Sequence, residues 1–162
     1  MVRIAMIGVG GMARHHLRTL TTYDDAQVVA YVDPSDESLA RADESFPALA
    51  SIPRYADYRD ALSAGGFDAV FICSRHADHY TQVVDCFDAG LHVLCEKPLV
   101  MNEEETQAVI EARDRGGKIG LVGYQRRVEP VFLKMSERLK SGDLGAVQLI
   151  HTNLGQSWKH FT

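Results

Sequence analysis

The sequence predicts an α/β fold: a doubly wound parallel sheet, followed by the truncated start of a second, α+β domain. Short apolar runs alternate with helical patterns over most of the chain, which is typical of parallel strands joined by helices. A glycine-rich turn, Gly8 to Ala13, follows the first apolar run, and Glu96-Lys97-Pro98 follows a later one. Because residues just past parallel strands line the ligand crevice of such sheets, we predict that both segments face one crevice.

Each predicted element rests on a local pattern. Strands are predicted at the apolar runs of residues 2–7, 28–32, 69–73, 92–95 and 119–122. Helices are predicted between them, at residues 11–22, 35–46, 58–64, 77–89 and 103–115. Ser35 is expected to begin one helix and Asn102 to cap another, while Gly90 and Gly116-Gly117 are expected to end helices.

The pattern changes after Tyr124. Residues 128–140 are predicted to form one amphipathic helix that ends at Ser141-Gly142, and residues 146–154 are predicted to form a strand. One strand cannot form a sheet, and this sequence contains no partners for it. We therefore predict two domains: residues 1–124, and residues 125–162 as the first helix and strand of a truncated C-terminal domain.

The composition is that of a globular protein and argues against several classes. Of the 162 residues, 46% are hydrophobic and 24% are charged, and the formal net charge is -5. No basic stripe indicates nucleic-acid binding, and no apolar stretch approaches the roughly 20 residues of a membrane helix. The first strand begins at Val2, which leaves no room for a signal peptide. Cys73, Cys86 and Cys95 lack CxxC spacing and are expected to be reduced core thiols of a cytoplasmic protein.

The glycine turn fits the pattern G-x-G-x-x-G/A, with a strand before it and a helix after it. Gly8 permits a tight turn, Gly10 lets the backbone approach a pyrophosphate, and Ala13 lets the helix pack closely on the sheet. Gly11 and Met12 lie between them, at the helix N-terminus that attracts phosphate charge. The turn therefore favours dinucleotide binding, although plain packing or a methyltransferase site would also explain it.

Asp33 ends the second predicted strand, 20 residues after Ala13. A carboxylate at this position would accept hydrogen bonds from the ribose hydroxyls of a dinucleotide. Alternatively, Asp33 caps the next helix or turns the chain together with Pro34. No arginine directly follows Asp33, so a 2′-phosphate would meet uncompensated negative charge. NAD is therefore favoured over NADP.

The Glu96-Lys97-Pro98 segment offers an acid, an amine and a rigid bend. Proline stiffens the bend and disfavours helix at Lys97. The segment follows a buried strand, which predicts that Glu96 and Lys97 face the crevice. Alternatively, the segment is a surface turn in which Glu96 and Lys97 form a solvated ion pair. A lysine in the crevice could act as a general acid or base.

Three segments together resemble one enzyme family. They are GVGGMA at residues 8–13, AGLHVLCEKPL at residues 89–99 with His79 before it, and VGYQRR at residues 122–127. Over essentially its whole length the chain resembles the N-terminal part of the glucose–fructose oxidoreductase / inositol dehydrogenase (Gfo/Idh/MocA) family of NAD(P)-dependent oxidoreductases. The resemblance implies a Rossmann domain that binds NAD, a sugar, polyol or cyclitol substrate, and a homo-oligomer at full length.

The resemblance also implies roles for individual residues. Lys97 matches the catalytic or substrate-contacting lysine, Glu96 is expected near the nicotinamide ribose, and Ser74 keeps a hydroxyl near the cofactor. The predicted catalytic residue is Lys97, no metal site is predicted, and the predicted cofactor-binding residues are Gly8, Gly10, Gly11, Met12, Ala13, Asp33, Ser74, His79, Glu96 and Lys97.

The chain departs from the family at three places. The usual T-P-N tripeptide is replaced by Ser74-Arg75-His76, and Gln125 replaces a usual asparagine. The family's second catalytic motif, an aspartate and a histidine a few residues apart, belongs to the C-terminal domain and is absent here. The 162-residue chain by itself is therefore expected to be inactive.

The remaining histidines and arginines are weaker candidates. His76 and His79 are spaced like metal ligands, but no carboxylate or cysteine cluster accompanies them, so structural roles are favoured. His15 and His16 are expected at the surface or in packing, and His92 is expected to be a hydrogen-bonded structural residue. Arg126 and Arg127 could reach the crevice or form interdomain ion pairs.

The sequence thus supports one main function and two alternatives. The main one is an NAD-dependent oxidoreductase fragment that transfers hydride between nicotinamide and a sugar, polyol or cyclitol, in which Lys97 would assist the missing histidine. The first alternative is a dinucleotide-binding or sensing module without turnover. The second is a methyltransferase, in which Glu96-Lys97-Pro98 would have no role.

Overall fold

The computed structural model describes residues 1–153 and residue 155. Its strands are β1 Val2–Ile7, β2 Ala26–Val32, β3 Arg54–Tyr55, β4 Ala69–Ile72, β5 His92–Cys95 and β6 Gly120–Val122. Its helices are α1 Gly11–Leu20, α2 Asp36–Ser45, α3 Tyr58–Ala64, α4 His76–Asp88, α5 Glu103–Gly116 and α6 Pro130–Ser141, with short 3-10 helices at Pro47–Leu49 and Gln125–Val128. The predicted alternation of strands and helices is confirmed, and most bounds differ by only one or two residues.

The six strands form one parallel sheet in the order β3-β2-β1-β4-β5-β6. The chain fills the sheet outward from β1 on one side and then crosses over to β4 on the other. In the register, Ile7 of β1 pairs with Val32 of β2 and with Ile72 of β4. The carboxyl ends of these three strands therefore lie side by side, at the point where the strand order reverses and where ligands bind in such sheets.

The core lies on both faces of the sheet. Successive residues of β1 alternate between two buried clusters: Ala5 and Ile7 belong to one, and Ile4 and Met6 to the other. The last four residues of β1, Ile4 to Ile7, are covered on both faces, and they are apolar without interruption, as the sequence predicted. The predicted doubly wound α/β fold is confirmed.

Side-chain caps fix several helix ends where the sequence predicted them. The Ser35 side chain accepts a hydrogen bond from the Ser38 amide at the start of α2. Asn102 does the same for Glu105 at the start of α5. Gly117 ends α5 in the left-handed conformation, with φ of 62°, which costs glycine little.

Two elements differ from the prediction. Strand β3 has only two residues and no apolar run, so the sequence pattern missed it. The predicted strand at residues 146–154 is wrong for the residues described: 146–153 form no strand, and Leu154 lies outside the described residues. A strand needs a neighbour to complete its backbone hydrogen bonds, and none is available there.

The chain divides into two compact units, Met1–Tyr124 and Gln125–Thr162. The first unit holds the whole sheet and α1 to α5. The second contains helix α6, which ends at Gly142 with φ of 80°, as the Ser141-Gly142 pair predicted.

Candidate functional site

A cavity of the first unit lies at the carboxyl ends of β1, β2 and β4. Its volume is about 740 Å³, within the range of about 300–1,000 Å³ typical of small-molecule sites. Gly8, Gly10, Asp33 and Ser74 are all among its lining residues, so the structure brings together four of the predicted site residues. The wall is completed by residues of the β3–α3 loop, α3 and the first turns of α4, including Asp57, Arg59, Arg75, Asp78 and Gln82.

Gly8 is required by the fold itself. Its φ is +81°, a conformation that side chains disfavour. A Cβ atom at this position would lie 2.6 Å from the Ser74 backbone nitrogen and 2.7 Å from the Cys73 carbonyl carbon. The turn after β1 can therefore approach the end of β4 only because residue 8 has no side chain.

At residue 10, by contrast, no neighbouring atom of the chain requires a glycine. A Cβ atom there would meet nothing within 4 Å, yet the residue faces the cavity. Gly10 is also the N-cap of α1 and has no side chain to cap it. Side chains cap α2, α3 and α5, whereas α4 and α6, like α1, have no side-chain cap. The first amides of α1 are thus left for an external acceptor, which is the arrangement that binds phosphate at helix N-termini.

The other residues of the turn have different environments. Gly11 and Met12 are exposed in the first turn of α1, with Met12 48% exposed. Ala13 is fully buried, in a cluster with Val9 and Leu17. Ala13 therefore packs the helix on the sheet, and it presents no surface that a cofactor could contact.

Asp33 connects the strand end to the glycine turn. Its Oδ2 accepts a hydrogen bond from the Val9 amide at 2.8 Å, and its Oδ1 accepts one from the Ser35 amide at 2.9 Å. The side chain is half-buried and lines the cavity. Since a carboxylate has about four acceptor positions, Asp33 can turn the chain at Pro34 and still accept bonds from ribose hydroxyls. The two interpretations of Asp33 are compatible.

The cations in the cavity wall are paired with carboxylates. Arg59 lies 3.9 Å from Asp57, and Arg75 lies 2.9 Å from Asp78. Their positive charge is therefore partly compensated before any ligand enters. A 2′-phosphate near Asp33 would also meet the negative charge of that carboxylate.

The Ser74 side chain lies at the carboxyl end of β4. It is half-buried, and its Oγ lies 2.5 Å from Gln82 Oε1, to which it donates a hydrogen bond. Gln82 belongs to α4 and also lines the cavity. The hydroxyl is therefore held at the cavity wall and keeps its acceptor positions free for a ligand.

Glu96 and Lys97 lie after β5, beyond the residues that line this cavity. The Glu96 carboxylate is only 12% exposed, and its Oε1 lies 2.8 Å from His16 Nε2 on α1. The Lys97 amide donates to Glu96 Oε2 at 3.2 Å, the Lys97 side chain is exposed, and the Lys97-Pro98 peptide bond is cis. In this bend the Glu96 carboxylate is thus largely buried, and the Lys97 amine is accessible to solvent.

The sequence predicts His16 at the surface or in packing, and it does not predict the contact of His16 with Glu96. The ring also packs on Phe71, with ring centroids 4.6 Å apart. One signal was available: Ala13, His16 and Leu17 are three and four positions apart, so they share the helix face that meets the sheet. The Glu96 partner could not be found this way, because it is 80 residues distant in sequence.

His79, a predicted cofactor-binding residue, is fully buried. Its Nδ1 lies 2.7 Å from the Pro98 carbonyl oxygen, and its Nε2 lies 3.2 Å from the Ser74 carbonyl oxygen. Both ring nitrogens thus face backbone atoms of this chain. In the structure, His79 supports the residues around the crevice and has no exposed surface for direct cofactor contact.

The three cysteines are free: Cys86 and Cys95 are buried, and Cys73 is partly buried and lines the cavity. Burial raises the pKa of Cys73, Cys86 and Cys95 to about 12, so their thiols stay protonated and unreactive near neutral pH. Within residues 1–153 and 155, no group of three or more His, Cys, Asp or Glu is placed to hold a metal ion. Among the described helices, none has both the length and the apolarity needed to cross a membrane.

Comparison with known proteins identifies relatives of this chain. The sequence model of an oxidoreductase family with an NAD-binding Rossmann fold, the Gfo/Idh/MocA family, matches residues 2–124. Inositol 2-dehydrogenase 2 of Saccharopolyspora erythraea is 35% identical over 152 residues, which are 93% of this chain and 44% of that protein. The chain thus spans less than half the length of the curated relatives it matches.

Solved structures show the same fold. The WlbA dehydrogenase of Chromobacterium violaceum, in complex with NADH and UDP-GlcNAcA, superposes with a TM-score of 0.81 at 26% identity, over 89% of this chain and 41% of that one. Myo-inositol 2-dehydrogenase of Lactobacillus plantarum superposes with a TM-score of 0.77 at 25% identity, over 89% and 42%. The glycine turn, the acidic strand end and these relatives agree: the chain belongs to the Gfo/Idh/MocA family of oxidoreductases with an NAD-binding Rossmann fold.

Proposed function

We propose that this chain is the NAD-binding part of a two-domain dehydrogenase that oxidises a sugar, polyol or cyclitol. One observation carries the cofactor assignment: the space beside Gly10 is empty of protein atoms, and it adjoins the uncapped N-terminus of α1. Gly10 also lines the cavity beside Asp33 and Ser74, so a pyrophosphate could approach the α1 amides there without meeting a side chain. The substrate class is supported by the relatives, which are inositol dehydrogenases.

Three parts of the cavity would hold the cofactor. The amides at the start of α1 would bind the pyrophosphate, with Gly8 and Gly10 allowing the approach. Asp33 would accept hydrogen bonds from the adenosine ribose. Ser74 would contribute its hydroxyl from the end of β4. Gly11 and Met12 would contribute through the first turn of α1, where both are exposed.

Lys97 would act on the substrate. NAD, when bound, supplies the nicotinamide ring that accepts a hydride from the alcohol carbon. The Lys97 amine is exposed after β5, and it would assist in removing the hydroxyl proton. Glu96 is turned toward His16, so its role would be to fix this bend rather than to contact the ribose.

Residues 125–162 would open the substrate domain, of which the chain contains helix α6. The proton acceptor implied by the family resemblance belongs to the rest of that domain. We therefore expect the 162-residue chain to bind NAD without oxidising a polyol, since orientation and proton transfer both need the missing groups. The buried, protonated thiols support a cytoplasmic location, and a homo-oligomer at full length remains part of the proposal. A binding module without turnover gains no support from the relatives, which are dehydrogenases.

Cofactor preference tests the role of Asp33. We expect the chain to bind NAD⁺ at least several-fold more tightly than NADP⁺, because the Asp33 carboxylate would repel a 2′-phosphate. The variant Asp33→Asn removes the charge but keeps an oxygen that can accept the Val9 amide, so the preference should narrow. Titration calorimetry with both cofactors measures the two dissociation constants.

A matched control is Asp24→Asn, which removes the same charge from an exposed residue. Asp24 lies before β2, at the amino end of the strand and away from the cavity. This variant should leave the preference unchanged. Equal affinities for the two cofactors, or tighter binding of NADP⁺ by the unaltered chain, would contradict the assignment of NAD.

A further inference from the structure

The Glu96-Lys97-Pro98 bend is held on one side by His16. The His16 imidazole donates from Nε2 to Glu96 Oε1 at 2.8 Å, while Glu96 Oε2 accepts the Lys97 amide at 3.2 Å. The carboxylate also packs against Gly123, where a Cβ atom would lie 3.0 Å from Oε1. The acid is thus enclosed and has its hydrogen-bond partners within the chain.

The bend is held on its other side by His79. This imidazole is fully buried, and its Nδ1 lies 2.7 Å from the Pro98 carbonyl oxygen. The shorter distance favours Nδ1 as the donor to this carbonyl. The Nε2 atom lies 3.2 Å from the Ser74 carbonyl oxygen. The ring therefore lies between the loop after β5 and the loop after β4.

Lys97 lies between these two contacts. Its side chain is exposed, and within the part of the chain that the structure describes, its ammonium group takes part in no ion pair. The backbone from which the amine extends is held through the Lys97 amide and the neighbouring residues. Both neighbours are fixed by histidines, at positions where buried polar groups must be hydrogen-bonded to avoid a large desolvation cost.

Each histidine is linked to an element of the cofactor cavity. His16 is on α1, the helix whose N-terminus lies at Gly10, and His79 contacts the carbonyl of Ser74, which lines the cavity. We propose that His16 and His79 form a two-point clamp that positions Lys97 relative to the bound cofactor. They are positioning residues, and this proposal rests on the proposed function of Lys97.

The chain offers a matched control for each histidine. His15 and His76 are exposed neighbours on the same two helices. His16→Leu removes the donor to Glu96, and His16→Gln retains an N–H near the position of Nε2. His79→Asn retains a donor near the position of Nδ1, so it loses only the contact with Ser74. His15→Leu and His76→Leu remove rings that lie edge-on to His16 and His79, with centroids 5.8 Å and 5.6 Å apart, but that form no hydrogen bond with the bend.

Two readouts separate the clamp from the function of Lys97. Hydrogen exchange of the Lys97 amide in the 162-residue chain reports whether Glu96 is held, whatever Lys97 does in catalysis. We expect His16→Leu to raise this exchange rate by about tenfold or more, and His16→Gln to restore most of the protection, as expected for loss and recovery of a local hydrogen bond. His15→Leu should change nothing.

Turnover in the full-length protein is the second readout. We expect His16→Leu to lower kcat by about tenfold while KM for NAD changes by less than about twofold, because a misplaced amine impairs the chemical step and not cofactor binding. His79→Asn should have a smaller effect in the same direction, and His76→Leu none.

The outcomes distinguish the two proposals. If Lys97 exchange is the same in His16→Leu as in the unaltered chain, the clamp is overturned. The clamp is also overturned if exchange rises and kcat is unchanged while Lys97→Ala is inactive, because the amine then needs no positioning. If Lys97→Ala itself keeps full turnover, the proposed function of Lys97 fails, and exchange alone then decides whether the bend is held.

Discussion

Replacing Lys97 by alanine in the full-length protein should lower turnover by on the order of 10²-fold or more, as loss of a general acid or base does. NAD⁺ affinity should change by less than about threefold, because Lys97 lies outside the cavity lined by Gly10 and Asp33. Steady-state kinetics with a polyol substrate, together with a calorimetric titration of NAD⁺, separates the two effects.

Lys97→Arg and Lys118→Ala complete this test. Arginine keeps the charge but does not exchange its proton near neutral pH, so Lys97→Arg should also be nearly inactive. Lys118 lies before β6, at the amino end of that strand, whereas Lys97 follows the carboxyl end of β5. Replacement of Lys118 should therefore leave turnover unchanged. A Lys97→Ala enzyme with near-normal turnover would reduce Lys97 to a structural residue.

Replacing Gly8 by alanine should lower the free energy of unfolding by about 2–5 kcal/mol, which combines a strained φ with overpacking. The φ of +81° is disfavoured for alanine, and the new Cβ atom would clash with the backbone at Ser74. Urea denaturation of the 162-residue chain measures the change.

Gly66→Ala is the matched control for Gly8→Ala. Gly66 has a similar φ of +89°, but no atom lies within 4 Å of the position of its Cβ. Its replacement should cost only the conformational part, about 1 kcal/mol. If the two variants lose the same stability, the close approach of the first turn to β4 is not what requires glycine at residue 8.

The sequence predicted most of the fold because the signals are local. Buried parallel strands are apolar on both faces, so runs such as Ile4 to Ile7 mark them directly. Helix ends are set by single residues such as Asn102, whose capping role needs only its neighbours. Strand β3 has two residues and lies at the sheet edge, so it left no pattern.

The site was predicted less completely because part of it depends on contacts between distant segments. The glycine turn and Asp33 were found from their spacing, and the structure places both at one cavity. The contact between His16 and Glu96 joins residues 80 positions apart, and the sheet order alone brings them together. The resemblance placed His79 near the cofactor, but only the structure shows its ring between two carbonyl oxygens.

The strand predicted at residues 146–154 is wrong over residues 146–153 for a different reason. The apolar residues there do favour a strand, and the prediction followed that preference. Val147, Leu149 and Ile150 are exposed in the structure, and no neighbouring strand is available among the described residues to pair with them. Strand propensity reports how a side chain fits a sheet, so it has no effect without the sheet.

The most direct test is a calorimetric titration of NAD⁺ into the 162-residue chain and into its Gly10→Val variant, which measures the two dissociation constants. In the proposed function, the cofactor occupies the space beside Gly10. Valine at residue 10 meets no protein atom within 4 Å of its Cβ position, so thermal unfolding should change little.

We predict saturable NAD⁺ binding to the unaltered chain and a loss of about tenfold or more in affinity for Gly10→Val, because the side chain would occupy the approach to the α1 amides. The melting temperature of the variant should stay within about 3 °C of that of the unaltered chain, a change of under about 1 kcal/mol. A folded chain that binds no NAD⁺, or a Gly10→Val variant that binds it equally tightly, would contradict the assignment of this crevice to the dinucleotide.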